Sequence, residues 1–300
     1  MQPLDQFAAE KLLQLESQNL RRILVETHRS TNGTVKRSGR ELISFACNDY
    51  LNLSGDSRVV RAAQKAIEQY GVGAGASRLV TGNHPLYQNL EKRLARLKNT
   101  EDACVFGSGY LANLGIIPSL VGAKDLIVAD ELSHACILAA SKLSSAHVEV
   151  FRHNDIYHAA EILNERRAQH PHAMILTDGV FSMDGDLAPL NELSALAKDY
   201  ESWLMTDDAH GVGVLGAGRG STFSSGVQAE VPLQMGTLSK AIGSYGGYLC
   251  ASKSVINLIR TRARTLIYST GLPPAIVAAS IAALEIIETH PELTARPLEN

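Results

Sequence analysis

Short apolar runs alternate with longer amphipathic segments through the middle of the chain. Runs of this length are typical of buried strands, and the segments between them have the periodicity of helices. The pattern therefore predicts an α/β fold, with a mostly parallel sheet covered by helices on both faces. The predicted strands are 103–106, 126–129, 148–151, 174–177, 203–206, 233–235 and 248–251, and the predicted helices between them are 110–121, 134–144, 157–169 and 190–200.

The two ends of the chain carry further elements. Leucines at helical spacing predict a helical arm over residues 5–26, and a polar stretch at 30–34 predicts a hairpin or loop. The remaining predictions are a strand at 41–45 and helices at 57–70, 85–98 and 274–289.

Composition and charge narrow the functional classes. The chain has 300 residues, 45% of them hydrophobic, and a net charge of −3 with no basic block. Neither a nucleic-acid partner nor a membrane surface is expected. The N-terminus lacks a continuous apolar segment and no run approaches a membrane span, so we expect a cytoplasmic protein. The four cysteines form no Cys-x-x-Cys pair, which favours reduced thiols.

Polar and charged residues follow five of the predicted strands. Because the carboxyl ends of parallel strands meet at one edge of a sheet, these residues are expected to form one composite pocket. They lie at Ser108, at 130–134, at 178–186, at 207–211 and at Lys240.

One of these segments, Gly107-Ser108-Gly109, opens a predicted helix and is a candidate phosphate cradle, although a tight turn has the same pattern. Two other glycine-rich segments fail their structural tests. Residues 71–75 follow no clear strand, which excludes a dinucleotide site, and residues 236–240 lack the Walker spacing. His134 and His210 with an aspartate could ligate a metal, but no tight cluster supports this, and no metal is expected.

Lys240 lies among glycine and hydroxyl residues between two apolar runs. Partial desolvation lowers the pKa of an amine and makes it nucleophilic towards a carbonyl, although an ordinary loop lysine has similar neighbours. Combined with a phosphate cradle and Asp207, this lysine indicates pyridoxal phosphate. Lys240 would hold the aldehyde as a Schiff base, Asp207 would keep the ring nitrogen protonated, and His134 would stack on the ring.

The chain resembles the α-oxoamine synthases, which are fold-type-I pyridoxal phosphate enzymes. The resemblance covers most of the chain from about residue 15. It is carried by residues 48–51, 75–78, 108–110, 178–186, 207–211 and 237–243.

This resemblance implies roles for individual residues. Lys240, His134, Asp207 and His210 would be catalytic, with Lys240 also moving the substrate proton. The cofactor would be held by these four together with Ser108, Gly109, Tyr110, Ser182, Thr237 and Thr270. The substrate would contact His134, Asn48 and Arg21, with Arg22 as a rival for the role of Arg21.

Two further segments, residues 75–82 and 267–274, are most similar to one branch of the family. That branch condenses L-alanine with a pimeloyl thioester, carried by CoA or acyl carrier protein, in biotin biosynthesis. Two alternatives stay open: a family member that uses glycine or serine with a different acyl-CoA, and a non-catalytic cofactor-binding or dimer-scaffold protein.

The resemblance also implies a homodimer with active sites at the interface, in which Thr270 would reach the partner's phosphate. The expected organisation is an N-terminal arm over 1–45 and a large cofactor-binding domain over 46–273. Residues 274–300 would lead into a small C-terminal domain that is incomplete, because family members continue beyond this region.

Overall fold

The computed structural model describes residues 2–31 and 33–299. Met1, Asn32 within the predicted hairpin, and Asn300 lie outside the described residues. The chain divides into two compact units, residues 1–47 and 48–300. The assignment of residues 274–300 to a further domain stays a prediction.

The first unit contains one helix and a small antiparallel sheet. The helix is α1 (Pro3–Ser17), and the strands, in spatial order, are β1 (Thr27–Arg29), β2 (Thr34–Arg37) and β3 (Arg40–Ile43).

The prediction of a helix as far as residue 26 is wrong. Asn19 has a left-handed backbone with φ of 57°, and the amide of Leu20 donates to the carbonyl of Leu15 at 2.8 Å. Asparagine tolerates this conformation, and the backward hydrogen bond closes the last helical turn. Apolar residues continue at helical spacing beyond Ser17, but the helical backbone conformation ends there.

The second unit carries the α/β architecture. Its helices are α2 (Ser57–Tyr70), α3 (Leu86–Leu97), α4 (Gly109–Leu120), α5 (Ala135–Ser144), α6 (Ile156–Arg166), α7 (Leu190–Asp199), α8 (Lys253–Arg262), α9 (Arg264–Ile267), α10 (Pro274–Thr289) and α11 (Pro291–Glu299). Its strands are β4 (Asp102–Phe106), β5 (Leu126–Asp130), β6 (His147–Phe151), β7 (Ala173–Asp178), β8 (Trp203–Asp207), β9 (Leu233–Thr237) and β10 (Gly247–Ala251).

The seven strands form one sheet in the order β4-β10-β9-β8-β7-β5-β6. The neighbours from β9 to β6 pair in parallel, whereas β10 is antiparallel to both β9 and β4. Only residues 238–246 separate β9 from β10, which is too short for the crossover that a parallel connection needs. The prediction of a mostly parallel sheet is confirmed.

Side chains alternate between the two faces of this sheet. On β4, Val105 packs into one core and Phe106 into another. On β5, Ile127 joins the core of Phe106, whereas Val128 packs with helices α6 and α7. Helices α4, α5 and α8 cover one face, and α2, α3, α10, α6 and α7 cover the other. Both faces are therefore buried, as predicted.

Two further observations concern membrane-spanning helices and the cysteines. Across residues 2–31 and 33–299, no helix is long and apolar enough to cross a membrane. All four cysteines are free thiols, and three of them are buried.

Candidate active site

The loops that follow five strands meet in one cavity of about 170 Å³. Eight residues predicted from the sequence line it: Ser108, Gly109, Tyr110, His134, Asp207, His210, Thr237 and Lys240. It is also lined by Cys136, Asp178, Ala209, Met235 and Ser239.

One wall of the cavity is the N-terminus of helix α4. Ser108 caps this helix, since its Oγ atom accepts a hydrogen bond from the amide of Leu111 at 3.1 Å. The amides of Gly109 and Tyr110 have no intramolecular acceptor among the described residues. Unpaired amides and the helix dipole favour an anion at this position.

Lys240 is linked to His210 and Tyr50 by hydrogen bonds. Its Nζ atom lies 2.7 Å from His210 Nε2, and His210 Nδ1 lies 2.6 Å from the Tyr50 hydroxyl. Burial, reinforced by the Lys240 charge, lowers the pKa of His210 to about 4. A neutral imidazole accepts a hydrogen bond from Lys240 at Nε2 and donates one from Nδ1 to the Tyr50 hydroxyl.

Burial also lowers the pKa of Lys240, although the charges of Asp207 and Asp178 act in the opposite direction. Desolvation therefore dominates at this amine, because it penalises the charged form more than the two carboxyls favour it. The result is an amine that loses its proton more readily than an exposed lysine.

Two carboxyls end adjacent strands side by side. Asp178 of β7 and Asp207 of β8 are direct partners in the parallel register, and both are buried. Burial raises the pKa of Asp207. Burial and then the Asp207 charge raise the pKa of Asp178 to about 8. Like charges in one site cannot both ionise readily, so Asp178 releases its proton less readily than an exposed aspartate.

His134 caps the N-terminus of helix α5 and lines the same cavity. Its Nδ1 atom lies 2.8 Å from the Cys136 thiol, and its backbone amide donates to Asp178 at 3.3 Å. The ring is therefore held from its Nδ1 side.

The other predicted site residues lie elsewhere. Ser182 lines a neighbouring, more apolar cavity of about 390 Å³ that also includes Tyr50 and His210. Asn48 accepts a hydrogen bond from the Tyr50 hydroxyl at 3.4 Å. Thr270 pairs with Ser77 in an isolated antiparallel bridge and is not among the residues that line the cavity of Lys240.

Arg21 belongs to the first unit. It forms an ion pair with Glu16 at 3.0 Å, and both side chains are exposed. Its predicted role in substrate binding stays a prediction.

His153 follows a strand in a polar segment, a position typical of a solvated side chain, but two carboxyl groups hold its ring. Its Nδ1 atom lies 3.0 Å from Asp130 and its Nε2 atom lies 2.6 Å from Asp186. Asp130 is fully buried, and a buried carboxylate needs hydrogen-bonding partners. His153 supplies one and connects the end of β5 to the 178–188 loop.

Sequence reasoning missed several residues of the site. Asp178 was seen at a strand end but received no role, although its position matches that of Asp207 on the next strand. Asn113 donates a hydrogen bond to Asp207 at 2.7 Å, and its signal in the sequence is that of a polar residue inside the apolar helix α4. Tyr50 lies in the 48–51 motif, but its role was not predictable because its contact with His210 joins residues 160 positions apart. Within the described ranges, no group of three or more potential ligands is arranged for a metal ion.

Comparison with known proteins identifies the family. The model for "Aminotransferase class I and II" matches residues 40–300. A putative 8-amino-7-oxononanoate synthase from Parvibaculum lavamentivorans is 64% identical over 300 residues, covering 100% of this chain and 77% of that protein. An 8-amino-7-oxononanoate synthase from Beijerinckia indica is 59% identical over 300 residues, covering 100% of this chain and 78% of that protein.

A solved structure shows the same fold. Serine palmitoyltransferase from S. paucimobilis, bound to a PLP–myriocin aldimine, superposes with a TM-score of 0.85 and 28% identity, covering 96% of this chain and 74% of that one. The family match and the high identity to these relatives agree with the geometry of the cavity. The chain therefore belongs to the aminotransferase class I and II family, within its group of 8-amino-7-oxononanoate synthases.

Proposed function

We propose that this chain, a pyridoxal phosphate-dependent acyltransferase, condenses L-alanine with a pimeloyl thioester, carried by CoA or acyl carrier protein. The products are 8-amino-7-oxononanoate, carbon dioxide and the free thiol, and the pathway is biotin biosynthesis. The observation that carries the proposal is that a desolvated lysine and a buried aspartate share one cavity, in a chain 64% identical to a relative named for this activity.

The residues of the cavity fit pyridoxal phosphate. Asp207 is a buried carboxyl whose pKa is raised by burial, and a protonated ring nitrogen would compensate its charge. The unpaired amides at the start of α4 suit the phosphate. Lys240 supplies the amine for the aldehyde, and the ring of His134 lines the same cavity.

When bound, the cofactor supplies an electron sink that stabilises negative charge at the α-carbon of an amino acid. The chain supplies the proton transfer. Lys240 has a lowered pKa because it is partly buried, so a larger fraction of the amine is neutral and able to accept the α-proton of alanine.

His210 orients this amine. The short contact between His210 Nε2 and Lys240 Nζ is 2.7 Å, and the imidazole stays neutral at physiological pH because its pKa is about 4. A neutral ring can accept a hydrogen bond from the amine at Nε2. Tyr50 holds the other ring nitrogen and so fixes the direction of the acceptor.

The names of the relatives support alanine and a pimeloyl thioester, whereas the serine palmitoyltransferase neighbour favours serine with a long acyl chain as a second candidate. Thiol release can be measured with alanine, glycine or serine against pimeloyl, shorter and palmitoyl thioesters. We expect alanine with the pimeloyl thioester to have the highest kcat/KM. A preference for serine with the palmitoyl thioester would select the second candidate, and a preference for glycine would contradict both.

Lys240 can be tested directly. Borohydride reduction of the cofactor-loaded protein, followed by peptide mass spectrometry, should place one pyridoxyl adduct on Lys240. Lys240→Ala should lose the adduct and turnover, whereas Lys142→Ala, which changes an exposed lysine of α5, should keep both. An adduct on another lysine would contradict the assignment.

We also propose a cytoplasmic homodimer. Val72, Leu79, Val80 and Tyr268 are exposed by 60% or more of their surface. The segments that carry them are joined by the bridge from Ser77 to Thr270. Exposed apolar side chains concentrated in this way are typical of an interface. Light scattering should give a dimer, and Val80→Glu should shift it towards a monomer; an unchanged mass for the variant would place the interface elsewhere.

The free cysteine thiols are consistent with the reducing compartment that we propose for this protein.

A further inference from the structure

Asn113 is a fully buried amide inside helix α4. Most of its buried helical neighbours are apolar or small, for example Ala112 and Ile116. Its Oδ1 atom has no hydrogen-bond partner among the described residues. A buried, unpaired amide oxygen is unfavourable for stability. The contribution of this residue therefore lies in its two N–H donors.

Both donors of Asn113 are used within the cavity. The Nδ2 atom donates to Asp207 Oδ2 at 2.7 Å and to the Cys136 thiol at 3.0 Å. A carboxylate can only accept, so the amide must present its NH2 group rather than its oxygen to Asp207. This hydrogen bond lowers the pKa of Asp207 and opposes the effect of burial.

The chain of hydrogen bonds continues to His134. The Cys136 sulfur lies 2.8 Å from His134 Nδ1, and the Cys136 amide donates to the same nitrogen at 3.3 Å. Because the Cys136 amide donates to Nδ1, that nitrogen carries no proton, and the thiol, whose sulfur accepts from Asn113, directs its own proton to Nδ1. Burial raises the pKa of the Cys136 thiol to about 12, so that proton is present at neutral pH. His134 Nδ1 is therefore an acceptor, and the ring proton lies on Nε2.

We propose that Asn113 is a positioning residue that links two parts of this site. Its amide holds the Asp207 carboxylate on one side and orients the Cys136 thiol on the other, and the thiol fixes the ring of His134 in the Nε2–H form. This inference rests on the proposed function, in which the enzyme binds the cofactor. Asn113 would then position both the Asp207 carboxylate that faces the ring nitrogen and the His134 ring that stacks on the cofactor.

Three variants test this arrangement in the full chain loaded with pyridoxal phosphate. Asn113→Leu removes both donors at similar volume, Cys136→Ala removes only the thiol, and Cys136→Ser retains a donor. Ser119→Ala is the matched control, because Ser119 is a buried polar residue of the same helix whose hydroxyl donates to the carbonyl of Gly115. The readouts are the dissociation constant of the cofactor and the tautomer of His134 from ¹⁵N NMR.

We expect Asn113→Leu to weaken cofactor binding about tenfold or more, as for loss of a hydrogen bond to a charged group. Cys136→Ala should leave binding within about threefold of the wild type but give a mixed tautomer of His134, and Cys136→Ser should restore the Nε2–H form. If Asn113→Leu does not fold, the two Cys136 variants still decide the link to His134.

Two results would overturn the proposal: Asn113→Leu with unchanged cofactor affinity, or an unchanged His134 tautomer in Cys136→Ala. An equal loss of affinity in Ser119→Ala would show a merely structural effect. Failure of the proposed function is distinguishable, because it would appear as a missing pyridoxyl adduct in the wild type, whereas the tautomer of His134 is measured independently of that adduct.

Discussion

The ion pair of Lys98 and Asp208 offers a quantitative test of how the active-site end of β8 is held. Both side chains are completely buried, and Lys98 Nζ lies 2.7 Å from Asp208 Oδ2. The same ammonium donates to the carbonyl of Arg219 at 2.7 Å, and Asp208 Oδ1 accepts from the amide of Ser221 at 3.0 Å. Asp208 directly follows Asp207, so this pair anchors the turn that carries the site.

The expected magnitude follows from this burial. Lys98→Met keeps most of the side-chain volume but leaves the Asp208 carboxylate buried with one backbone donor. Breaking a buried pair in this way costs about 3–5 kcal/mol, whereas an exposed pair contributes about 0–1 kcal/mol. We therefore expect the free energy of unfolding to fall by about 3–5 kcal/mol in Lys98→Met. Urea denaturation followed by circular dichroism measures this difference.

Two further variants make the test decisive. Arg93→Met breaks the more exposed pair of Arg93 and Glu288, whose side chains are 21% and 24% exposed, and should cost less than about 1 kcal/mol. The double variant Lys98→Met with Asp208→Asn removes the uncompensated charge and keeps an acceptor for Ser221, so it should regain most of the lost stability. The reasoning is refuted if Lys98→Met behaves like Arg93→Met, or if the double variant is no more stable than the single one.

Two other predictions follow from the site and its surroundings. Tyr50→Phe removes the hydrogen bond to His210 Nδ1 and should lower kcat/KM about three- to tenfold; an unchanged value would show that His210 is oriented without it. Burial lowers the pKa of His153, but hydrogen bonds to Asp130 and Asp186 outweigh it and the net shift is upward. Its stabilisation is therefore complete below the unfolded pKa of about 6.5 and is lost as pH rises through the folded pKa. The urea midpoint should decline over that window in the wild type and not in His153→Asn; parallel pH profiles would contradict this assignment.

Most of the fold could be predicted because buried parallel strands are short continuous apolar runs. The strand predicted at 203–206 is found at Trp203–Asp207, and the helix predicted at 274–289 is found at Pro274–Thr289. Helix α8 (Lys253–Arg262) was missed because charged residues interrupt its apolar positions. The antiparallel direction of β10 depends on the short loop between β9 and β10. The pattern of apolar residues carries no information about strand direction.

The candidate site also has a part that the sequence predicts and a part that it does not. Residue type and position at a strand end were enough to select Lys240, Asp207 and His210, which line one cavity. The contacts that hold them were not predictable, because they join distant segments. Asn113 meets Asp207 across 94 positions and His210 meets Tyr50 across 160. Local patterns identify which groups face the ligand, but the pairing of strands and helices determines which groups face each other.

The carboxyl pair shows what this difference means for the chemistry. The register of β7 on β8 places Asp178 beside Asp207, and the pKa of Asp178 rises to about 8. A cation bonded to Asp207, such as a protonated ring nitrogen, favours the ionised form of Asp207. The negative charge of Asp207 then disfavours ionisation of Asp178, so the pair favours a single negative charge, which matches a single ring proton. The site can therefore hold a cationic ring without burying a second unpaired charge, and this balance is a property of strand register rather than of either aspartate alone.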